Sequence, residues 1–361
     1  MLDTPKISVC IPVYNVEKYL QQCIDSLMNQ TMETGIEYIF VNDASPDKCG
    51  KILQQNERMY PDKIRVIHHS KNQGLGETRN TAIKVARGDY IGFVDSDDFV
   101  APQMYETLYK NAIQSDADVT YIQYASVSSN EQYDRSRMES EQSFSPIFSW
   151  NTRLLGWSNK ELTNQGISDI LVYPQGGLYC GLWKRSLFKN SGIVFPQEHY
   201  EDNFFGSLIN CYLKKIFFVQ KVCYFYRFNP CSTVHARNKS YQLDRIQIEK
   251  ALLAEVRKRG LFEKYHAAWE YIYTFRYAYN TSMILISTYD NPPVKVIEQL
   301  WKDLDNEFPN WRKNRNYCQI VGTKGKLKYY ILKNFPRVFI FLFRCKDYFR
   351  NNFRINIKHL S

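Results

Sequence analysis

The sequence has no run of about 18 apolar residues, so it offers no segment long enough to span a membrane as a helix. Its first residues are polar and lead directly into a β-rich run, and we therefore expect no secretory signal. The nine cysteines are an odd number and include no Cys-x-x-Cys pair, which argues against a disulfide framework and against a zinc site. These absences predict a protein of a reducing, cytoplasmic compartment.

Acidic residues are almost missing from the end of the chain. The segment from Lys324 to Ser361 holds ten Lys or Arg and one acid, Asp347, a net charge of +9 out of the total of +10. A near-neutral body with a basic tail argues against a nucleic-acid-binding protein. The cations alternate with Phe, Tyr, Ile and Leu, a pattern that predicts contact with an anionic membrane surface through residues 324–361. The alternative is a last pair of packed helices with one basic face.

Strand patterns and helix patterns alternate along the first part of the chain. The β-rich runs lie at 7–15, 36–43, 64–69, 89–95 and 117–125, with helical spacing of apolar residues between them. This alternation predicts an α/β fold, a mostly parallel sheet flanked by helices. Residues 217–228 are predicted to form an edge strand, and the chain from about 240 onward is predicted to be helical. We expect a first domain at 1–240, with an insertion or acceptor loop at 126–170, and a helical region at 241–361.

Three carboxylates follow the fourth predicted strand. The segment YIGFVDSDDF, residues 90–99, is an apolar run that ends in Asp95, Asp97 and Asp98. Carboxylates this close repel one another, and this repulsion destabilises the folded chain unless a positive group neutralises it. From these residues alone two hypotheses stay open: a solvated turn before a helix, or a site for a divalent cation, which takes clustered carboxylate oxygens. Ligands of parallel α/β sheets bind at the carboxyl ends of strands, so Asp43 at the end of the second strand is expected on the same rim.

Five segments, in this order, resemble the inverting family 2 glycosyltransferases, which have the GT-A type nucleotide-sugar fold. The segments are ISVCIPVYN (7–15), VNDASPD (41–47), NQGLGETRN (72–80), DSDD (95–98) and YEDNFF (200–205). The similarity extends over residues 6–235. The family commonly has two acids and a glycine where this chain has Asn42, Asp43 and Ala44, so we expect Ala44 to tighten that turn.

The resemblance implies a role for each matching residue. Asp97 would bind Mn²⁺ or Mg²⁺ through the diphosphate of the donor, and Asp95 would contact ribose or metal. Asp202 would be the general base, and Glu201 would help to position the acceptor. The nucleotide would be bound by Pro12, Tyr14, Asn15, Asp43, Arg79, Asp95 and Ser96.

Most of these residues also have a plainer interpretation, which the sequence leaves open. Asp43 could only initiate a turn, Arg79 could be a solvated helix charge, Tyr14 could be a core residue, and Glu201 and Asp202 could be acids favoured at a helix start. His235, in the segment YRFNPCSTVH, is predicted to be a metal ligand or a diphosphate contact, with neither role as the alternative, because a lone histidine more often has neither. Trp183 is predicted to stack on a sugar, with a core position as the alternative.

The resemblance implies metal-dependent, inverting transfer of a sugar from a UDP-sugar to an acceptor hydroxyl. We expect a saccharide or lipid-linked saccharide acceptor, surface polysaccharide assembly of the bacterial type, and a location at the inner face of the membrane. Nucleotidyltransferases share the α/β shell, but they need a Gly-rich phosphate loop where this chain has PVYNVEKYL. The remaining alternative is a non-catalytic nucleotide-sugar-binding or scaffolding protein, against which the presence of Asp97 and Asp202 argues.

Overall fold

The computed structural model describes residues 4–139, 144–147, 149–173, 175–228 and 237–346. His235 and positions 347–361 of the basic tail lie outside the described residues. The chain divides into two compact units, residues 1–230 and 231–361. The domain limits expected from the sequence, 1–240 and 241–361, stay a prediction.

An eight-stranded sheet forms the centre of the first unit. The strands are β1 Ile7–Val13, β2 Ile36–Asn42, β3 Ile64–His68, β4 Tyr90–Phe93, β5 Phe99–Val100, β6 Val119–Val127, β7 Gly181–Lys184 and β8 Ile216–Arg227. Their order is β3-β2-β1-β4-β7-β6-β8-β5. The first four strands in this order are parallel, as are β6 and β8, whereas β7 is antiparallel to both its neighbours and β5 is antiparallel to β8. The predicted mostly parallel sheet is confirmed.

Helices connect the strands and cover both faces of the sheet. They are α1 Glu17–Met28, α2 Cys49–Met59, α3 Leu75–Val85, α4 Met104–Ser115, α5 Arg135–Glu139, α6 Thr152–Leu155, α7 Asn164–Val172, α8 Arg185–Ser191 and α9 Glu201–Asn210. Side chains alternate along a strand, so Ile7 and Val9 of β1 share one apolar cluster with residues of α1 and α4. On the other face, Phe93 of β4 contacts Phe188 of α8 and Phe195, with both pairs of ring centroids 6.1 Å apart.

Two sequence expectations about strands and loops need correction. Strand β8 is not an edge strand, because it pairs with β6 and, at Tyr224 and Phe225, with β5. β5 lies directly after the carboxylate turn, residues 95–98. It has only two residues, which are too few for a period-two pattern to show. The polar segment 126–170 begins inside β6 and contains α5, α6 and most of α7, so it is partly regular.

A buried polar network closes the amino ends of β1 and β2. Glu37 Oε1 accepts hydrogen bonds from Ser8 Oγ (2.6 Å) and from the backbone N–H of Arg87 (2.8 Å). Ser8 Oγ in turn accepts from the N–H of Gly88 at 2.8 Å. A side chain at position 88 would place Cβ 2.6 Å from the backbone of Ile7, so this close approach requires glycine. The network satisfies a buried carboxylate and fixes the point at which the chain leaves α3 for β4.

The second unit is helical in its described part, as predicted. Its α-helices are α10 Asp244–Lys258, α11 Leu261–Lys264, α12 His266–Ile272, α13 Thr281–Thr288, α14 Val294–Glu307, α15 Arg315–Ile320 and α16 Thr323–Asn334, and positions 336–346 are helical too. A π-helical segment, Tyr273–Asn280, connects α12 to α13. Tyr273 stacks on Tyr277 with ring centroids 4.2 Å apart, and Tyr279 stacks on Tyr329 at 4.1 Å. No helix among the described residues is long and apolar enough to cross a membrane.

The buried network predicts the effect of removing one hydroxyl. Ser8→Ala leaves Glu37 Oε1 and the N–H of Gly88 each short of one partner, and a buried polar group left unsatisfied costs about 1–3 kcal/mol. We expect the free energy of unfolding in urea to fall by about that amount. Ser128→Ala, at an exposed serine, is the matched control and should change it by less than about 0.5 kcal/mol. Equal urea midpoints for the two variants would contradict the role of Ser8.

Candidate active site

The carboxyl ends of β1, β2 and β4 bring the candidate residues to one rim of the sheet. Asp43 follows β2, and its backbone N–H donates to the carbonyl of Val13 at the end of β1 (2.9 Å). Asp95 follows β4, which is the other neighbour of β1. Both acids therefore lie at the edge where a parallel α/β sheet binds its ligands.

The loops after β1 and β2 are joined to each other. Asn15 has a positive φ of 54°, and its N–H donates to Ser45 Oγ at 3.2 Å. Pro12 is buried inside β1, opposite Val41 of β2. Tyr14 is 49% exposed, which excludes the core position that was its alternative. This end of the rim thus presents an accessible aromatic ring beside a loop that is hydrogen-bonded to its neighbour.

The Asp43 carboxylate organises the turn in front of α3. It is 2% exposed; Oδ1 accepts from the N–H of Gln73 (2.9 Å) and lies 2.7 Å from His69 Nδ1, and Oδ2 accepts from the N–H of Gly74 (2.9 Å). Gly74 has a φ of 88°, a conformation that glycine adopts without strain. Ala44 also has a positive φ, 54°, so this chain carries backbone strain where the family commonly has glycine. Asp43 therefore has a structural role, and its contact with a base stays a prediction.

Arg79 of α3 joins two carboxylates from different parts of the chain. It is 5% exposed; Nη2 donates to Asp95 Oδ1 at 3.0 Å, and Nη1 donates to Glu201 in the first turn of α9. Burial alone lowers the pKa of Arg79, but the charges of Asp95, Glu201 and Asp202 outweigh burial and raise that pKa above its ordinary value. Arg79 is thus a permanent buried cation and not the solvated helix charge that was its alternative.

The two acids that begin α9 are buried to very different extents. Glu201 is 4% exposed and bound to Arg79, whereas Asp202 is exposed and accepts from the N–H of Asn203 at 2.8 Å. Burial raises the pKa of Glu201 above its ordinary value, Arg79 opposes this effect, and the charge of Asp202 adds to it. The accessible carboxylate of the pair is Asp202, which can meet a substrate hydroxyl, while Glu201 is committed to the arginine.

The three carboxylates after β4 lie in different environments. Asp98 is 1% exposed; its Oδ2 accepts from the hydroxyl of Tyr224 (2.6 Å) and its Oδ1 from the N–H of Arg227 (2.7 Å). Burial, followed by the charges of Asp97 and Asp95, raises the pKa of Asp98 well above its ordinary value. Asp95 and Asp97 are only partly buried. A fully solvated turn is therefore excluded for Asp98, and Asp95 and Asp97 are the carboxylates within reach of a ligand.

Three other predicted residues have clear outcomes. Trp183 is a core residue, and the prediction that it stacks on a sugar is wrong: it is 2% exposed, its indole N–H donates to the carbonyl of Leu178 (3.3 Å), and its ring meets Tyr121 edge-on at 5.6 Å. Ser96 lies between the two accessible carboxylates and is itself buried. The proposed metal contact of His235 falls outside the described residues and stays a prediction.

Arg227, the last residue of β8, is a part of the site that the sequence did not single out. It is 1% exposed; Nε donates to the carbonyl of Asp97 (2.8 Å), Nη1 to the carbonyl of Glu131 (2.6 Å) and Nη2 to Gln22 Oε1 (3.2 Å). Its backbone N–H also donates to Asp98 Oδ1, so Arg227 holds the carboxylate turn through both its side chain and its backbone. The sequence signal that could have revealed it is a single arginine at the end of an aromatic strand.

The donor atoms on this rim fit a hard cation that is bound together with its substrate. Within the described ranges, no three His, Cys, Asp or Glu side chains form a group that could hold a metal ion. Asp95 and Asp97 offer carboxylate oxygens, the ligands that Mg²⁺ and Mn²⁺ prefer. Mg²⁺ is commonly held by one or two carboxylates plus substrate phosphates and water. The two accessible carboxylates therefore fit a cation that is bound together with a diphosphate.

Comparison with known proteins assigns the family. Residues 8–169 match the model described as Glycosyl transferase family 2. The putative glycosyltransferase EpsH of Bacillus subtilis (strain 168) is 30% identical over 268 residues, which are 73% of this chain and 73% of EpsH. The chain belongs to glycosyl transferase family 2. Another relative, the uncharacterized glycosyltransferase EpsJ of the same organism, is 32% identical over 63% of this chain, and the match spans 62% of EpsJ.

Solved structures confirm the GT-A type fold of this family 2 glycosyltransferase chain. Residues 1–349 of S. aureus TarS, crystallised in complex with UDP, superimpose with a TM-score of 0.56 at 19% identity, covering 87% of this chain and 91% of that chain. At that identity the likeness concerns the fold alone. Family 2 consists of transferase enzymes, and the resemblance found in the sequence motifs is confirmed.

The contacts of Arg227 predict that lysine cannot replace it. Lysine keeps the charge, but its single nitrogen cannot reproduce the fork by which Nε, Nη1 and Nη2 reach Asp97, Glu131 and Gln22, so we expect at least one of these acceptors to lose its donor. An unsatisfied buried acceptor costs about 1–3 kcal/mol, and we expect Arg227→Lys to lower the free energy of unfolding by that amount.

Urea unfolding measures this change, and Arg237→Lys is the control. Arg237 is 64% exposed and pairs with Asp290, so its replacement should be almost neutral. If Arg227→Lys and Arg237→Lys unfold at the same urea concentration as the parent protein, the carboxylate turn does not depend on Arg227.

Proposed function

We propose that this protein transfers a sugar from a UDP-linked donor to an acceptor hydroxyl with inversion at the anomeric carbon. One observation supports this most strongly: buried Arg79 binds both the carboxylate turn at Asp95 and the helix start at Glu201. The turn is the proposed donor side and the helix start is the proposed acceptor side. Family membership supplies the reaction class, and the TarS structure, which contains UDP, supports the choice of nucleotide.

The donor is proposed to lie along the rim that runs from Tyr14 to Asp97. Pro12, Asn15 and Asp43 would surround the base, with the ring of Tyr14 accessible beside them. Arg79 is already committed to two carboxylates, so we propose that it positions Asp95 and Glu201 rather than binding the diphosphate directly. Ser96 would act through its backbone, because its side chain is buried.

Mn²⁺ or Mg²⁺ is proposed to bind with the donor at Asp97 and Asp95, with His235 as a further ligand. Such a cation, when bound, neutralises the negative charge that develops on the diphosphate as the glycosidic bond breaks. The role of the chain is to keep the two carboxylates at the rim against their mutual repulsion. Arg79, on Asp95, and Arg227, on the backbone of Asp97, perform that role.

Asp202 is proposed to be the general base. Direct displacement with inversion needs one carboxylate that takes the proton of the attacking hydroxyl. Asp202 is accessible, and the bond between Glu201 and Arg79 holds the first turn of α9 that carries it. A non-catalytic nucleotide-sugar-binding protein is the alternative function, and it would not need an accessible carboxylate beside a buried pair.

The acceptor is proposed to be a saccharide, carried on a membrane lipid in surface polysaccharide assembly of the bacterial type. The support is the resemblance to family 2 together with the basic, aromatic end of the chain. A cytoplasmic protein bound at the inner face of the membrane would meet such an acceptor.

Replacing the proposed base should separate catalysis from donor binding. Asp202→Asn keeps the shape of the side chain and removes its ability to accept a proton, so turnover should fall by about 10²-fold or more, the usual contribution of a general base. UDP affinity should stay nearly unchanged, because the side chain lies on the acceptor side. Turnover is measured as UDP release from a panel of UDP-sugars.

Asp244→Asn is the matched control, since Asp244 is also an acid in the first turn of a helix. It should leave turnover unaltered. Full activity of Asp202→Asn would move the base elsewhere, with Glu201 as the first candidate.

Metal removal tests the cation independently of the base. We expect calorimetric binding of UDP to require Mn²⁺ or Mg²⁺, and EDTA to abolish turnover, because Asp95 and Asp97 together repel the diphosphate when no cation is present. Asp97→Asn should lose the dependence of UDP binding on Mn²⁺. Asp116→Asn changes an exposed aspartate away from the rim and should keep it. Equal UDP affinity with and without divalent cation would refute the metal assignment.

A further inference from the structure

The chain between Phe308 and Lys346 carries positive charge without any compensation from its own acids. It contains ten Lys or Arg and no Asp or Glu, and all of it lies in the described part of the second unit. Some of these cations have partners elsewhere: Lys333 pairs with Asp305, and Arg344 donates to the backbone carbonyl of Tyr289 (3.3 Å). Six exposed cations lie on α16 and on the helix at 336–346: Lys324, Lys326, Lys328, Arg337, Arg344 and Lys346.

The same two helices, with Phe335 between them, expose large apolar side chains. Those that are more than half exposed are Leu327, Tyr330, Phe335, Val338, Phe341 and Leu342. The inward sides are apolar as well, because Tyr329 and Leu332 of α16 and Phe339 and Ile340 of the next helix are buried. A helix on the surface of a protein in water normally has a polar outer side. These two helices are apolar inside and outside, and packing in the described part of the second unit accounts only for the inside.

The arrangement on each helix is an outward apolar row with cations beside it. With about 100° of rotation per residue, Phe341 and Val338 lie opposite the buried Phe339 and Ile340. Arg337 and Arg344 lie on one flank of that row and Lys346 on the other. On α16, Leu327 and Tyr330 point outward in the same way between Lys324 and Lys326. We call these apolar and cationic residues together the basic apolar face.

We propose that the basic apolar face is a docking surface for an anionic lipid bilayer. Apolar side chains flanked by Lys and Arg match the boundary between acyl chains and anionic headgroups. Nucleic acid would be attracted by the cations, but phosphate contacts give no reason for exposed Phe, Leu and Val side chains, and so the lipid surface accounts for more of the face. A docking surface would bring the enzyme to the lipid-linked acceptor, and in that respect this proposal rests on the proposed function. The charge and the exposure of the face are observed independently of it.

The test is flotation of the full-length protein with vesicles of phosphatidylglycerol and of phosphatidylcholine. We expect binding to the anionic vesicles at low salt and release as salt rises, with little binding to the neutral ones. Each cation near an anionic surface contributes about fivefold in affinity, so the triple variant Lys324→Gln, Lys326→Gln, Lys328→Gln should bind about 100-fold more weakly. The double variant Phe341→Ser, Leu342→Ser should weaken binding at a fixed salt concentration, because it removes the inserted apolar surface.

The matched charge control is the triple variant Lys51→Gln, Lys84→Gln, Lys189→Gln, at three exposed lysines of the first unit. It has the same net charge as the first triple variant, and it should bind vesicles like the parent protein. Equal loss in both triple variants would show that total charge, and not this face, is responsible, and would overturn the proposal. Binding to a DNA duplex without binding to anionic vesicles would also overturn it, in favour of nucleic acid.

UDP release in the absence of lipid separates this proposal from the enzymatic one. The Lys324, Lys326 and Lys328 variant should keep the donor hydrolysis of the parent protein, since none of these residues belongs to the proposed site. A parent protein that binds anionic vesicles but turns over no UDP-sugar would refute the proposed function and leave the docking surface supported. A parent protein that releases UDP but ignores anionic vesicles at low salt would refute the docking surface alone.

Discussion

The crowding of carboxylates at one rim of the sheet is the constraint on which the rest of the site depends. Asp95, Asp97 and Asp98 follow one strand, and Arg79 ties Asp95 to Glu201, so that α9 adds two more acids nearby. Like charges in a partly buried place disfavour ionisation and folding. Buried Arg79 offsets this repulsion, and removing one partner of such a buried pair typically costs 3–5 kcal/mol. The arginine therefore lets the chain fold with its acids clustered. Stability alone would not require such a cluster.

Helix α3 connects the separate motifs through this arginine. Its start is fixed by the N–H groups of Gln73 and Gly74 on the Asp43 carboxylate. Gly76 is required by packing, because a Cβ there would overlap the carbonyl oxygen of Pro196. The glycine-rich segment is thus explained by a turn and a close backbone approach, without any ligand. Asp43, α3 and Arg79 thus form a continuous set of contacts that leads to the carboxylate turn and to α9.

Local patterns in the sequence predicted the alternating core of the fold well. β1 to β4 and the helices between them are short-range units, and their apolar periodicity is strong. The pairing of β8 with β5 and β6 was missed because it joins segments more than 90 residues apart in the chain, and no periodicity carries that information. The role of Arg227 was missed for the same reason, since its acceptors lie far away in the chain, on α1 and on the loops after β4 and β6. Trp183 was misplaced because an aromatic residue beside glycines suits a core as well as a sugar platform.

The contrast between Glu201 and Asp202 shows how adjacent acids acquire different environments. In a helix, successive side chains point about 100° apart, so one acid of the first turn faces the interior and the next faces water. Burial removes the hydration of Glu201, and the ion pair with Arg79 offsets this cost and anchors the helix start. Asp202 remains exposed, and its Oδ1 accepts a hydrogen bond from the N–H of Asn203 at 2.8 Å. Under the proposed function, an acceptor hydroxyl would meet the exposed side of this carboxylate, and exclusion of water by the bound acceptor would strengthen their contact. The ion pair of buried Glu201 with Arg79 anchors the helix turn that carries Asp202, and it leaves the Asp202 carboxylate exposed.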